Sequence, residues 1–216
     1  MVHAARPGYP GGMQADLDLL RAWRGGDRRA GAELFDRHYG ALERFFANKV
    51  SGDTSDLIQE TFAACVSGVE KILDGKFSAF LFGIAYNKLK KHYEKLRLDG
   101  ERLDYEAVSS ADLAPGASTM MAKSEEQRLL LEALRRIPVQ HQVVLEMFYW
   151  EDMTSADIAV ALGEPHGTVR TRIRRARELL QEALGKVPAD GAVVERTRSD
   201  LDGWAAMVRS ANTGAR

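Results

Sequence analysis

Residues 154–184 read TSADIAVALGEPHGTVRTRIRRARELLQEAL, a pattern that predicts a short helix, a tight turn and a longer helix. Thr154 and Asp157 have the spacing of a capping box, which marks the start of the short helix. Gly163 fits the left-handed position that commonly follows a helix, and Pro165 is suited to begin the next one. The segment therefore predicts a helix-turn-helix.

The longer helix of this segment carries five arginines. Its apolar side chains recur at helical spacing and are expected to face inward. The polar positions on or beside the outer faces are Thr168, Arg170, Thr171, Arg172, Arg174, Arg175 and Arg177. In a helix-turn-helix the second helix enters the major groove, where arginine pairs with guanine and threonine contacts phosphate or a thymine methyl group. These seven residues are the predicted binding set for duplex DNA.

An arginine-rich helix can also be a solvated surface held by intrahelical ion pairs. Glu178 and Glu182 lie at helical spacing from Arg174 and Arg175. Two carboxylates cannot neutralise five arginines, so the charge pattern favours DNA binding.

The distribution of charge supports this interpretation, although the net charge of the chain is only −1. Residues 87–97 carry a net charge of +4 and residues 170–177 carry +5, which leaves −10 for the rest of the 216 residues. Two basic surfaces on an acidic body indicate a protein that binds a polyanion at defined places.

Helical periodicity covers most of the remaining chain and predicts an all-α fold. Residues 1–14 are expected to form a flexible tail, residues 15–98 one helical domain, and residues 99–123 a flexible linker. Residues 124–186 are expected to form a second helical domain that contains the helix-turn-helix. Residues 187–216 are a C-terminal extension, in which 201–208 predict one short helix that covers the second domain.

Four helices are expected in the first domain. The third is predicted to be capped by Asp53 and to direct Leu57, Phe62, Val66 and Val69 toward the core. The fourth begins near Phe77 and continues through the basic segment. Its phenylalanines Phe80 and Phe82 are expected to pack in the core.

No constellation of catalytic residues is visible. The five histidines are scattered, and Cys65 is the only cysteine, so neither a disulfide nor a cysteine-based zinc site is expected. We expect no enzymatic activity, no metal and no cofactor. The longest apolar run is far shorter than a bilayer span, and no secretory signal is visible, so we expect a cytoplasmic protein without membrane insertion.

Two blocks of the sequence resemble the extracytoplasmic-function (ECF) subfamily of bacterial RNA polymerase sigma factors. SADIAVALG and GTVRTRIRRARELL resemble its second DNA-binding region. SDLIQETFAACVSGVEKI resembles its polymerase-binding region, and FSAFLFGIAYNKLKKHYEKLR its promoter-melting region. The blocks cover about residues 16–98 and 124–184 in the order of that family.

The resemblance implies a transcription initiation factor that binds core RNA polymerase and promoter DNA, both double-stranded and melted. The helix at 168–180 would read the −35 element, and the segment 76–97 the melted −10 element. The implied −10 residues are Lys76, Tyr86, Asn87, Lys88, Lys90 and Lys91, because aromatic rings stack on unpaired bases and lysines follow phosphates. Asp56, Leu57, Gln59 and Glu60 would bind the β′ clamp helices of the polymerase, and the β flap is a further implied contact. An anti-sigma factor is a candidate partner.

The first block departs from the family pattern in its basic helix, which has lysines where arginines are usual. Lysine lacks the planar fork of arginine, so this surface is expected to hold phosphate more than it reads bases. An alternative function stays open: a stand-alone helix-turn-helix regulator whose residues 15–98 sense a ligand or dimerise. A module that only sequesters polymerase would not need arginines on the recognition helix.

Overall fold

The computed structural model describes residues 10–98, Ser109 and residues 124–199, and their secondary structure is helical apart from one isolated bridge between Ser109 and Pro138. The helices are α1 (Pro10–Arg24), α2 (Arg28–Ala47), α3 (Ser55–Ser67), α4 (Phe77–Leu98), α5 (Glu125–Arg135), α6 (Val139–Tyr149), α7 (Ser155–Leu162), α8 (His166–Leu184) and α9 (Gly191–Ser199), with a 3₁₀ turn at Val69–Lys71. The predicted all-α class is confirmed. Within these described ranges, no helix is long and apolar enough to span a membrane.

Helices α1 and α2 form an antiparallel pair at the start of the first half. Helix α1 begins at Pro10, within the stretch of residues 1–14 that the sequence predicts as a tail. A proline at the first helical position loses no hydrogen bond there, which explains why the helix includes it. The Asp27 carboxylate accepts from the backbone N–H groups of Arg29 and Ala30 and caps α2. Asp16 on α1 holds α2 through an ion pair with Arg37 and a contact with His38, both 2.8 Å long.

Helix α3 packs in a different register from the predicted one. Its buried residues are Ile58, Thr61 and Cys65, whereas Val66 is 49% exposed. A polar threonine is tolerated in the core because its Oγ1 donates to the Leu57 carbonyl oxygen at 2.6 Å. The predicted direction of Val66 toward the core is therefore wrong.

Helix α4 forms the centre of the first half. Leu81, Phe82, Leu89 and Tyr93 are buried along it, and Phe82 packs edge-on against Phe45 of α2 at 5.5 Å between ring centroids. Phe80 is half-buried and lies over Gly68, where a Cβ atom would come within 2.8 Å of its ring. The expectation that Phe80 and Phe82 are packing residues is confirmed.

Helices α5 to α8 form the second half. Ser124 caps α5, with its hydroxyl oxygen accepting from the Gln127 backbone N–H. Helix α6 is buried on nearly every side, and α8 packs on it. The buried residues of α8 include Val169, Ile173 and Leu180. Helix α9 then covers α5, with Val193 and Thr197 buried. The short helix expected at residues 201–208 lies outside the described residues.

The two halves pack against each other and share one continuous hydrophobic core. The main contact is between α4 of the first half and α7 of the second. The linker expected at 99–123 also lies outside the described residues, except for Ser109, which is buried beside Pro138. The sequence predicts two helical domains, and it gives no indication that they are in contact.

Candidate nucleic-acid interface

A tight turn joins α7 to α8 and sets the direction of the second helix. The capping box at the start of α7 is complete: the Thr154 hydroxyl accepts from the Asp157 backbone N–H, and the Asp157 carboxylate accepts from the Thr154 backbone N–H. Gly163 ends α7 in the left-handed conformation with φ of +67°, which a residue with a Cβ adopts only with strain. The predicted helix-turn-helix is present.

The outer face of α8 is exposed where the sequence predicts DNA binding. Thr168, Arg170, Thr171, Arg174 and Arg175 are exposed, and Arg172 and Arg177 are half-buried. The seven predicted residues therefore do not behave alike. Five project into solvent, and two are held by neighbouring side chains.

Arg172 and Arg177 are the two held arginines. Arg172 makes a two-point ion pair with Glu164, which lies in the turn before α8. The Arg177 guanidinium lies 5.3 Å from the ring centroids of both Phe148 and Tyr149 on α6, a cation–π geometry. Arg172 is thereby oriented, and Arg177 contributes to packing between α8 and α6.

Arg175 is the arginine that the two nearby acids on α8 engage. Its Nη1 lies 3.1 Å from Glu178 Oε2 and 3.7 Å from Glu182 Oε1, and all three side chains are about half exposed. Arg170 and Arg174 have no ion pair with any residue of the described ranges. The intrahelical pairs thus leave most of the positive charge of this face unneutralised.

His141 of α6 is part of this surface, although the sequence offers no motif that identifies it. It lines an open groove with Gly167, Thr168, Thr171, Arg172 and Arg175. Its Nδ1 atom is buried and has no hydrogen-bond partner in the described part of the chain. Burial, followed by the nearby charge of Arg172, lowers the pKa of this imidazole. The only sequence signal is its place at the start of the helix that supports α8.

The second basic surface lies on α4. Asn87, Lys90 and Lys91 are exposed, whereas Tyr86 is only 6% exposed. The Lys90 ammonium lies 5.8 Å from the Tyr86 ring centroid. The structure thus brings the lysines together on one face and places the tyrosine beneath them, against the core.

Lys88 connects this surface to α3. Its Nζ lies 2.5 Å from Glu60 Oε2, and this hydrogen bond is the main cause that lowers the pKa of the Glu60 carboxyl. Asp56, Gln59 and Glu60 are exposed on α3, and Leu57 is half-buried against the core. The predicted polymerase-binding and −10 surfaces are therefore adjacent and share an ion pair.

Lys76 stands apart from the other lysines, in the turn before α4. Its Nζ lies 2.6 Å from Asp157 Oδ1 on α7. Burial raises the pKa of the Asp157 carboxyl, but the hydrogen bonds from Lys76 and Thr154 outweigh it, and the pKa is lowered overall. Lys76 is thus engaged by the second half of the chain.

The family model described as Sigma-70, region 4 matches residues 127–180, which run from Gln127 in α5 to Leu180 in α8. ECF RNA polymerase sigma factor SigM of Mycobacterium tuberculosis is 28% identical over 175 residues, covering 80% of this chain and 86% of that protein. The ECF RNA polymerase sigma-E factor of Haemophilus influenzae is 25% identical over 182 residues, covering 78% of this chain and 95% of that protein.

Two solved structures are similar in fold. One is the structure of CnrH in complex with the cytosolic domain of CnrY, with a TM-score of 0.54 and 25% identity, covering 80% of this chain and 98% of that chain. The other is the sigma factor RpoE in complex with the anti-sigma factor NepR from Bartonella quintana. Its TM-score is 0.54 and its identity 22%, and the match covers 73% of this chain and 97% of that chain. With the helix-turn-helix and the relatives that span most of the chain, these matches show that the protein is similar to ECF RNA polymerase sigma factors in sequence and in fold.

Proposed function

We propose that the chain directs core RNA polymerase to specific promoters by reading two DNA elements with its two basic helices. The exposed arginine and threonine face of α8, residues 168–180, reads the −35 element as duplex. The segment 76–97, which includes α4, holds the melted −10 element. The observation that carries the proposal is the unneutralised basic face of α8 on a fully capped helix-turn-helix.

Each helix has the chemistry of its proposed ligand. Arg170, Arg174 and Arg175 project where the major groove would lie, and arginine reads guanine through O6 and N7. The lysines of α4 are spaced to follow the phosphates of a single strand. Because Tyr86 is buried, base stacking on it requires a rearrangement of α4, so Asn87, Lys88, Lys90 and Lys91 are the primary −10 contacts.

The polymerase partner fits the exposed start of α3. Asp56, Gln59 and Glu60 present polar and acidic groups next to Leu57, and by resemblance this surface binds the β′ clamp helices. The second half would contact the β flap. The protein would act in the cytoplasm, where bacterial polymerase is found, and an anti-sigma factor is a further proposed partner.

The test is transcription by purified core polymerase on fragmented genomic DNA, with and without the protein, followed by sequencing of the new RNA 5′ ends. We expect new start sites that share two upstream elements at fixed spacing. A protein that binds paired duplex sites without polymerase and creates no start sites would instead be a stand-alone regulator. The Arg172→Ala, Arg175→Ala double variant is the specificity control, since it should lose the upstream element.

A further inference from the structure

One side of α8 forms an open groove with α6. Thr168, Thr171, Arg172 and Arg175 line it and recur at spacings of three and four residues, so they lie along one side of the helix. His141 lines the groove from α6, and burial lowers the pKa of its imidazole, so it is neutral at pH 7. The positive charge of the groove therefore comes from its two arginines, which are held in different ways.

Arg172 is held more firmly than Arg175. The side chains of Arg172 and Glu164 are 17% and 21% exposed, whereas Arg175 and its nearer partner Glu178 are both about half exposed. The Glu164 Oε2 atom is shielded from water, and the Arg172 Nη2 atom faces it at 2.8 Å. An exposed pair orders its side chains only weakly, because water and salt screen it. Of the two arginines, Arg172 is therefore the one with a fixed direction.

The backbone around Glu164 gives its carboxylate a rigid support. The N–H groups of Gly163 and Glu164 donate to carbonyl oxygens in the last turn of α7, as in a Schellman motif. Pro165 follows with φ of −59°, an angle that its ring fixes. Glu164 thus lies between a closed helix end and a proline, and from there its side chain contacts Arg172 on α8.

An arginine held in this way keeps donors free for a base. The Glu164 carboxylate faces the two Nη atoms of Arg172, and the guanidinium carries further N–H groups, including the one on Nε. The edge that contains Nε is a planar fork that matches O6 and N7 of guanine. A side chain whose direction is set before binding also loses less conformational freedom when the complex forms.

We propose that Glu164 is a positioning residue for the −35 surface: its carboxylate holds Arg172 so that the free edge of the guanidinium is presented to a base and not to a phosphate. The proposal rests on the proposed function, because it concerns how α8 reads the same element. It gives Glu178 no such role, since the pair of Glu178 with Arg175 is exposed.

The experiment measures discrimination one base pair at a time. The full-length chain in complex with core polymerase is titrated with duplexes that carry the −35 element found by the transcription experiment, each with one base pair changed. The ratio of the affinities for the intact and the altered duplex is the discrimination at that base pair. The variants are Glu164→Ala, Glu164→Gln, Arg172→Ala, Arg172→Lys and Glu164→Ala/Arg172→Ala. Glu178→Ala is the matched control, because it removes the same charge from an exposed pair of the same groove.

We expect Arg172→Ala to lose discrimination at one base pair, and Arg172→Lys to lose it as well, because lysine has charge without the fork. Glu164→Ala should lower discrimination at the same base pair by about two- to tenfold, the cost of ordering one long side chain on binding. Glu164→Gln should lie between this variant and the wild type. In the double variant, the loss of Glu164 should add nothing to the loss of Arg172. Glu178→Ala should raise the affinity for every duplex and leave discrimination unchanged.

A loss of discrimination at every base pair in Glu164→Ala, or a further loss in the double variant, would overturn the proposal, because Glu164 would then act through the stability of the turn. If circular dichroism shows that Glu164→Ala is unfolded, Glu164→Gln decides, since it keeps the side-chain length and one acceptor oxygen. Full discrimination in Glu164→Ala beside a loss in Arg172→Ala would refute the positioning role alone. Unchanged discrimination in every arginine variant would count against the proposed function itself.

Discussion

The guanidinium group of Arg172 faces the carboxylate of Glu164 in two contacts of 2.8 Å, Nη1 to Oε1 and Nη2 to Oε2. The two side chains are 17% and 21% exposed, so the pair is partly shielded from water. Glu164 belongs to the turn and Arg172 to α8. The pair therefore fixes the direction of one arginine next to the exposed face of α8.

Replacing Arg172 or Arg175 with alanine should weaken binding to the −35 element. Each good base contact discriminates by about 1–3 kcal/mol, which is roughly 5- to 150-fold in affinity. The measurement is the affinity for duplexes with the intact and the altered element. Arg28→Ala, an exposed arginine at the start of α2, is the control, and equal losses for all three variants would contradict the assignment.

Replacing Lys88, Lys90 and Lys91 together with alanine should impair open-complex formation. If each lysine neutralises one phosphate of the melted strand, the slope of log affinity against log salt should fall by about 2. The measurement is a salt titration of the polymerase complex on a promoter with a pre-melted −10 region. Lys71→Ala, on the 3₁₀ turn, serves as the control, and an unaltered slope in the triple variant would mean that these lysines do not touch phosphate.

Replacing Glu60 with glutamine tests the ion pair that joins the two surfaces. Lys88 would be released toward the proposed DNA surface, while the proposed polymerase-binding surface of α3 would lose one charge. We therefore expect weaker binding to core polymerase and unchanged or tighter binding to single-stranded DNA. Glu33→Gln, an exposed acid on α2, is the control. A parallel loss of both affinities would show that Glu60 acts through the fold.

Replacing Thr154 with alanine removes one side of the capping box. Loss of an N-cap costs about 1 kcal/mol of unfolding free energy, with a range of roughly 0.5–2. Thermal and urea unfolding measure it. Ser67→Ala is the control, because its hydroxyl only donates to the Ala63 carbonyl oxygen on an exposed surface. A variant as stable as the wild type would mean that α7 does not depend on its cap.

Replacing Asp16 with asparagine should lower stability at neutral pH but not in acid. Burial raises the pKa of the Asp16 carboxyl, but the hydrogen bond with His38 and the charges of His38 and Arg37 outweigh it, and the pKa falls below the ordinary 3.8. A carboxylate with a lowered pKa stabilises the folded state above its ordinary pKa, and this contribution is lost as the pH falls through the lowered value.

Urea unfolding between pH 7 and pH 3 checks this dependence. At pH 7 the asparagine variant should be less stable by about 1.5–3 kcal/mol, as expected for a hydrogen bond to a charged group. The difference should shrink below pH 4. A stability difference that stays constant with pH would mean that the variant loses packing rather than a charge interaction.

Cys65 should resist thiol reagents in the folded protein. Burial raises its pKa to about 12, so almost no thiolate is present at pH 8. A chromogenic disulfide reagent should react only after unfolding, and the reaction rate should follow the unfolding transition. Fast reaction of the native protein would show that α3 opens locally.

The helix-turn-helix was predictable from sequence because its determinants are local. The cap at Thr154, the glycine at 163 and the inward positions of α8 lie within one segment, and each has a distinct chemical signature. The register of α3 was not predictable in the same way. Its core position at Thr61 is polar, and only the hydrogen bond to the Leu57 carbonyl oxygen makes burial acceptable.

The contact between the two halves also could not be predicted from the sequence pattern. Lys49 and Glu146 form a buried ion pair across it, but they are 97 positions apart and have the residue types of a solvated surface. His141 is a similar case, since it joins the α8 groove through packing of α6 beneath the turn. Both depend on tertiary contacts, which periodicity within one helix does not encode.

Under the proposed function, the exposed face of α8 and the ion pair between Lys76 and Asp157 have a consequence for the order of events at a promoter. In that function, duplex DNA could reach the exposed face without rearrangement, whereas a strand phosphate at Lys76 would have to displace the carboxylate of Asp157. Binding of the duplex −35 element by α8 would therefore precede binding of the melted −10 strand at Lys76.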